Sequence, residues 1–148
     1  MKVTVTWENK MKFYATGDLS GHKVEIDADP EHGGEGLGAR PSELILMGMA
    51  GCTALDVISM LQKMRLQLES FSVEVEGERA TEQPRVFTRA NIFYRFQGEN
   101  LPAEKVARAV NLSLEKYCGM VNTLKKAMPL TYCLEINGNR SEVRPVPK

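Results

Sequence analysis

The residues of this chain best suited to covalent chemistry are Cys52 and Cys118, which stand in the segments MGMAGCTALDV and EKYCGMVNTL. Each thiol has a glycine neighbour inside an otherwise apolar stretch, and Ala50, Thr53 and Ala54 add small side chains around Cys52. Small neighbours leave room for a second molecule to reach the sulfur, whereas a purely structural free cysteine behaves as a small core residue. Cys133 alternates within the apolar run LTYCLEI and reads as core. A reactive thiol must ionise, which positive charge or a helix N-terminus promotes. Cys118 directly precedes a helical run over residues 119–127. The helix carrying Cys52 starts well before it, so Cys52 needs a basic side chain from elsewhere.

The composition narrows what those thiols do. Three cysteines are an odd number, and the N-terminal MKVTVTWENK alternates like a strand and has no signal-peptide core. Both features fit reduced thiols in a reducing compartment and exclude a disulfide-stapled secreted scaffold, so a cytoplasmic location is expected. Lys and Arg total 19 and Asp and Glu total 19, which removes the electrostatic basis for a nucleic-acid partner. The most apolar run, residues 44–55, is too short to span a bilayer, so no membrane partner is expected. His22 and His32 are not spaced with the cysteines as zinc ligands. No metal, flavin or haem is implied.

The elements that must position the thiols follow from periodicity. With 148 residues, 43% of them hydrophobic, the chain is long and apolar enough for one domain with a real core. Residues 1–28 read as N-terminal strands, with Val3, Val5 and Trp7 on one half-buried face. Residues 29–40 contain four glycines and a proline and read as a mobile loop. Residues 41–65 form the central Cys52 helix, opened by Pro41. Its apolar side chains lie on nearly every face, which requires enclosure on all sides, and Gly48 and Gly51 invite a second helix or a second subunit. Residues 68–97 form a hairpin, 102–128 helices with Cys118 near their middle, and 130–137 a closing strand. The tail beyond is expected to be loose. Strands and helices are grouped, which favours α+β over a doubly wound sheet.

Together, RPSELILMGMAGCTALDV and SLEKYCGMVNTL resemble the two cysteine segments of the OsmC/Ohr family, and specifically its OsmC-like branch. The glycine-rich loop and the N-terminal strands are placed as in that family. The resemblance implies an OsmC-like fold, with antiparallel sheets wrapped around central buried helices in an intertwined homodimer. It implies a thiol-dependent peroxidase that reduces organic hydroperoxides and serves in oxidative stress defence. Cys52 matches the position that attacks the peroxide and becomes a sulfenic acid, and Cys118 the position that condenses with it to a disulfide. A dithiol reductant then opens that bond. The family's acid that tunes the thiolate directly follows the proline; that place is Ser42 here, and Glu43, one position later, is the candidate. The family's thiolate-holding arginine comes from the N-terminal strands; here no arginine precedes Arg40, so Arg40, Lys10 and Lys12 are the candidates. Leu46, Met47, Met49 and Met120 are the expected lining for a hydrophobic hydroperoxide. The competing readings are a non-catalytic small-molecule binding protein with an apolar site at the dimer interface, and a structural dimer with inert thiols.

Overall fold

The computed structural model describes residues 1–147. Its α+β chain divides into two compact units, Met1–Ile45 and Leu46–Lys148.

The first unit is an antiparallel meander. Strands β1 (Val3–Asn9), β2 (Lys12–Gly17) and β3 (Lys23–Ile26) pair in sequence order. Trp7 stands opposite Phe13, and Phe13 opposite Ile26. Period-two alternation makes β1 a strand, yet all seven of its residues are exposed, Val3, Val5 and Trp7 included. That differs from the half-buried face the alternation predicts, because no second layer of this unit covers the sheet.

The glycine-rich stretch is not a loose loop. Asp27, only 3% exposed, accepts backbone N–H groups of Ala28 at 2.8 Å, Glu35 at 2.9 Å and Leu37 at 3.2 Å. A 3-10 turn, Pro30–His32, closes the loop between those contacts. Glycine is needed at Gly34, where a Cβ would stand 2.0 Å from the Ala28 carbonyl oxygen. The carboxylate replaces the backbone ladder that this segment cannot form, and so orders it.

The second unit contains the core. Helix α1 (Pro41–Lys63) begins in the first unit and continues into it. Strands β4 (Ser70–Arg79) and β5 (Phe87–Gln97) form a long antiparallel hairpin. Helix α2 (Ala103–Leu112), a π-helical turn (Ser113–Tyr117) and helix α3 (Gly119–Leu124) then carry the chain to β6 (Leu130–Ile136). Strand β6 runs parallel to β5, with Tyr94 opposite Leu134. Long crossovers of this kind are what parallel neighbours require. The tail is strand-paired rather than loose: β7 (Asn139–Arg140) and β8 (Arg144–Pro145) both add to β6, and Val146 is buried.

Alternation along β5 sends Ala90, Ile92, Tyr94 and Phe96 into the core. They meet Val106, Ala109 and Val110 of α2, Leu114, Val121, and one stripe of α1. That stripe is Met49, Thr53, Val57 and Leu61, spaced four apart on one helix face. Leu46, Cys52 and Met60 of α1 pack partly against the same core. Met47 is exposed and Leu55 is 75% exposed, so the apolar helix has an open face where the sequence reading expects burial all round. At 23 residues α1 is also long and apolar enough to cross a bilayer, unlike the shorter run visible in the sequence. Its buried stripe belongs to the protein's own core.

Candidate functional site

Two local devices set Cys118. Helix α2 widens into the π-helical turn, where the Cys118 N–H bonds to the Ser113 carbonyl oxygen at 2.9 Å. Cys118 itself is extended, with φ −72° and ψ 101°, and serves as the N-cap of α3, its sulfur accepting the Val121 N–H at 3.4 Å. The break between helices is what turns this side chain inward. Cys52 is placed more simply, on α1 between the buried Met49–Thr53 stripe and Asp56, one turn further on.

The fold brings both sulfurs and an Asp56 carboxylate oxygen within 4.8 Å of one another. All three cysteines are free. Cys52 is partly accessible, whereas Cys118 is fully buried. Burial first, and then a hydrogen bond with Cys52, push the Cys118 thiol up to about 12. It is therefore held as a neutral S–H, a donor toward Cys52. Two thiols and one carboxylate are a donor short of a closed structural zinc set. Cys133 lies on β6, is buried, and takes no part in this cluster.

Asp56 is tied into a buried chain of hydroxyls. Ser113 Oγ donates to Asp56 Oδ2 at 3.0 Å, Thr53 Oγ1 lies 2.9 Å from Ser113 Oγ, and Tyr94 Oη lies 2.7 Å from Thr53 Oγ1. Each hydroxyl has one proton. With the Ser113 proton given to Asp56, Thr53 must donate to Ser113 and Tyr94 to Thr53. Three protons therefore line up toward one carboxylate. Burial raises the Tyr94 phenol, which keeps it an O–H donor. Asp56 also lines a cavity of about 280 Å³ with Ser59, Met60, Lys63, Leu112 and Tyr117. The sequence offered one signal for this group, an acid one turn after Cys52 inside an apolar helix. Its hydroxyl partners, on β5 and beside α2, gave none.

The other residues singled out from the sequence have contacts of their own. Glu43 closes the start of α1: its Oε2 accepts the Arg40 backbone N–H at 2.9 Å and its Oε1 the Arg40 guanidinium at 3.3 Å. Arg40 also pairs with Asp29, chiefly through a hydrogen bond that raises the guanidinium above its usual range. Lys10 bonds Glu35 at 2.7 Å and Lys12 bonds Glu25 at 2.6 Å, and those carboxylates raise both amines. All of these contacts are internal to the first unit. Among the expected lining residues, Met49 is fully buried in the core and is corrected to a packing residue. Leu46 faces Gly77 of β4, Met120 lies against Gly48, and Met47 points to solvent. None of the four lines the cavity that Asp56 lines.

Paired free thiols in an α+β unit, one accessible and one buried at a helix cap, define the class of protein. The family model described as "OsmC: OsmC-like protein" matches residues 33–132. This chain belongs to that family. It is 38% identical over 137 residues to Protein YhfA of Escherichia coli strain K12, covering 92% of this chain and 98% of that protein. Its fold is similar to a putative osmotic stress induced and detoxification response protein from Psychrobacter arcticus, with a TM-score of 0.78 and 18% identity over 91% of this chain and 96% of the other. A Legionella pneumophila structure, described as an organic hydroperoxide resistance protein OsmC and predicted redox protein, gives 0.66 and 16%, covering 90% and 96%.

Proposed function

We propose that this protein is a thiol-dependent peroxidase that reduces hydrophobic organic hydroperoxides in the cytoplasm, as part of oxidative stress defence. One observation carries the reading: two free sulfurs from distant parts of the chain lie within 4.8 Å, one accessible and the other buried. The accessible Cys52 suits the attacking role and the buried Cys118 the resolving one. Attack of the Cys52 thiolate on the peroxide releases the alcohol and leaves a sulfenic acid; Cys118 displaces its oxygen as water and forms the disulfide. A dithiol reductant reopens it by exchange. The open apolar face of α1 supports a homodimer built through that helix, since an exposed contiguous apolar surface is what an interface covers.

The test is mass spectrometry after one equivalent of cumene hydroperoxide. A Cys52–Cys118 disulfide is expected in the wild type. Cys118→Ser should stop at a dimedone-reactive Cys52, and Cys52→Ser should consume no peroxide. A wild type left reduced and unreactive would defeat the proposal. A second reading, a non-catalytic binder of a small apolar ligand, is favoured by the pairing of Arg40, Lys10 and Lys12 with carboxylates of their own unit. Saturable ligand binding without peroxide consumption would select it.

A further inference from the structure

The chemistry of the thiol pair contains a proton problem. Cys118 is completely buried, and burial together with its hydrogen bond to Cys52 holds the thiol protonated at neutral pH. Yet the thiolate is the attacking species. Something must take the proton at the moment of attack. The ionisable groups packed about the sulfurs are Asp56 of α1 and Tyr94 of β5, with Lys63 and Tyr117 across the cavity that Asp56 lines. Tyr94 is raised by burial and donates into the hydroxyl chain, so it is no acceptor.

Asp56 has the geometry of an acceptor. Its carboxylate lies within 4.8 Å of both sulfurs, a gap that one water molecule or a small side-chain rotation bridges. One oxygen, Oδ2, is anchored by Ser113, which Thr53 and Tyr94 orient in turn. The cavity of about 280 Å³ gives water a path to the same carboxylate.

We propose that Asp56 is the general acid–base of disulfide closure, taking the proton of the Cys118 thiol as its sulfur attacks oxidised Cys52 and delivering it to the group that leaves. The inference rests on the dithiol cycle proposed above. From the Cys52 sulfenic acid, the S–S bond forms as the S–O bond breaks. The oxygen departs with the bonding pair and leaves as water with the proton relayed by Asp56. The sulfenic acid is reduced, Cys118 is oxidised, and the hydroperoxide has supplied the oxidising equivalents. In reductive opening, Asp56 returns a proton to Cys118 as the leaving sulfur. Ser113, Thr53 and Tyr94 are positioning residues.

The experiment measures the rate of Cys52–Cys118 closure in the full-length wild type and Asp56→Asn, from pH 6 to 10, with cumene hydroperoxide and separately with diamide. Diamide oxidises thiols through a Cys52 adduct that Cys118 must displace, so it reaches closure without peroxide chemistry. Asp56→Asn keeps an acceptor for Ser113 but loses the base. It should close about 10²-fold more slowly at pH 7 with either oxidant. Its rate should climb tenfold per pH unit, as solvent hydroxide takes over, against a shallow profile for the wild type. Formate entering the cavity of Asp56→Ala should restore part of the rate. Equal rates and profiles for wild type and Asp56→Asn with diamide would overturn the role of Asp56 alone. Should the variant not fold, a wild-type rate rising tenfold per unit across the range would overturn it equally. Closure with diamide but not with peroxide would defeat the peroxidase reading and leave the comparison of the two proteins decisive for Asp56. No closure with either oxidant would overturn both.

Discussion

Thr53 sits beside Cys52 but does its work through a hydroxyl. It is fully buried, and it is the middle link between Tyr94 and Ser113. Replacing it with valine preserves shape but leaves the buried Tyr94 hydroxyl without a partner. A stranded buried polar group costs about 1–3 kcal/mol, so Thr53→Val should lose about that much stability in urea titration. Adding Tyr94→Phe removes the orphan and should recover a large part of the loss, since replacing both partners by apolar groups is nearly neutral. A double variant less stable than the single one would contradict this account of the network. Among the described residues no buried side-chain nitrogen or oxygen lacks a partner, which is why each deletion here exposes another.

At the scale of elements, the glycine-rich loop depends on one carboxylate. Burial disfavours the ionised form of Asp27, but backbone N–H groups from Glu35, Leu37, Ala28 and Gly36 outweigh it and hold its carboxyl below the usual range. The unfolded loop therefore binds that proton more tightly than the folded one. The stabilisation is fully present above the ordinary aspartate value of about 3.9 and is lost as pH falls through the lower folded value. Hydrogen exchange at the Glu35 and Leu37 amides should accordingly stay protected from neutrality down to about pH 4 and open below it. Asp27→Ala should show the open behaviour at every pH. Full protection in that variant would assign the order of the loop to its glycine turns alone. Helix α1 starts immediately after this loop, with Glu43 and Arg40 closing its first turn, so loop order and helix start are linked through the Arg40–Asp29 pair.

For the whole molecule, the open face of α1 is the feature that most needs a partner. Of its large apolar side chains, Ile45, Met47 and Leu55 are exposed. Leu55, 75% exposed, lies near the middle of the helix. Under the dimer proposed here, Leu55→Glu places a charge in an apolar interface and should convert the wild-type dimer to monomer in light scattering. A dimer undisturbed by that change would move the interface off α1.

Local pattern carried much of this protein. Period-two alternation marked β1 as a strand and Cys133 of β6 as core, the grouping of elements gave the α+β class, and two cysteine segments read together carried the family resemblance. Such signals are legible because they depend only on which side chains recur on one face of a single element. The meeting of Cys52, Cys118 and Asp56 is of another kind. It depends on a parallel crossover, on a π-helical turn that bends Cys118 inward, and on hydroxyls contributed by three elements. The order of the glycine-rich loop and the pairing of the tail also come from partners outside the segment itself. Long-range pairing is selected by what the whole chain can bury and hydrogen-bond at once, and no window of sequence contains that sum.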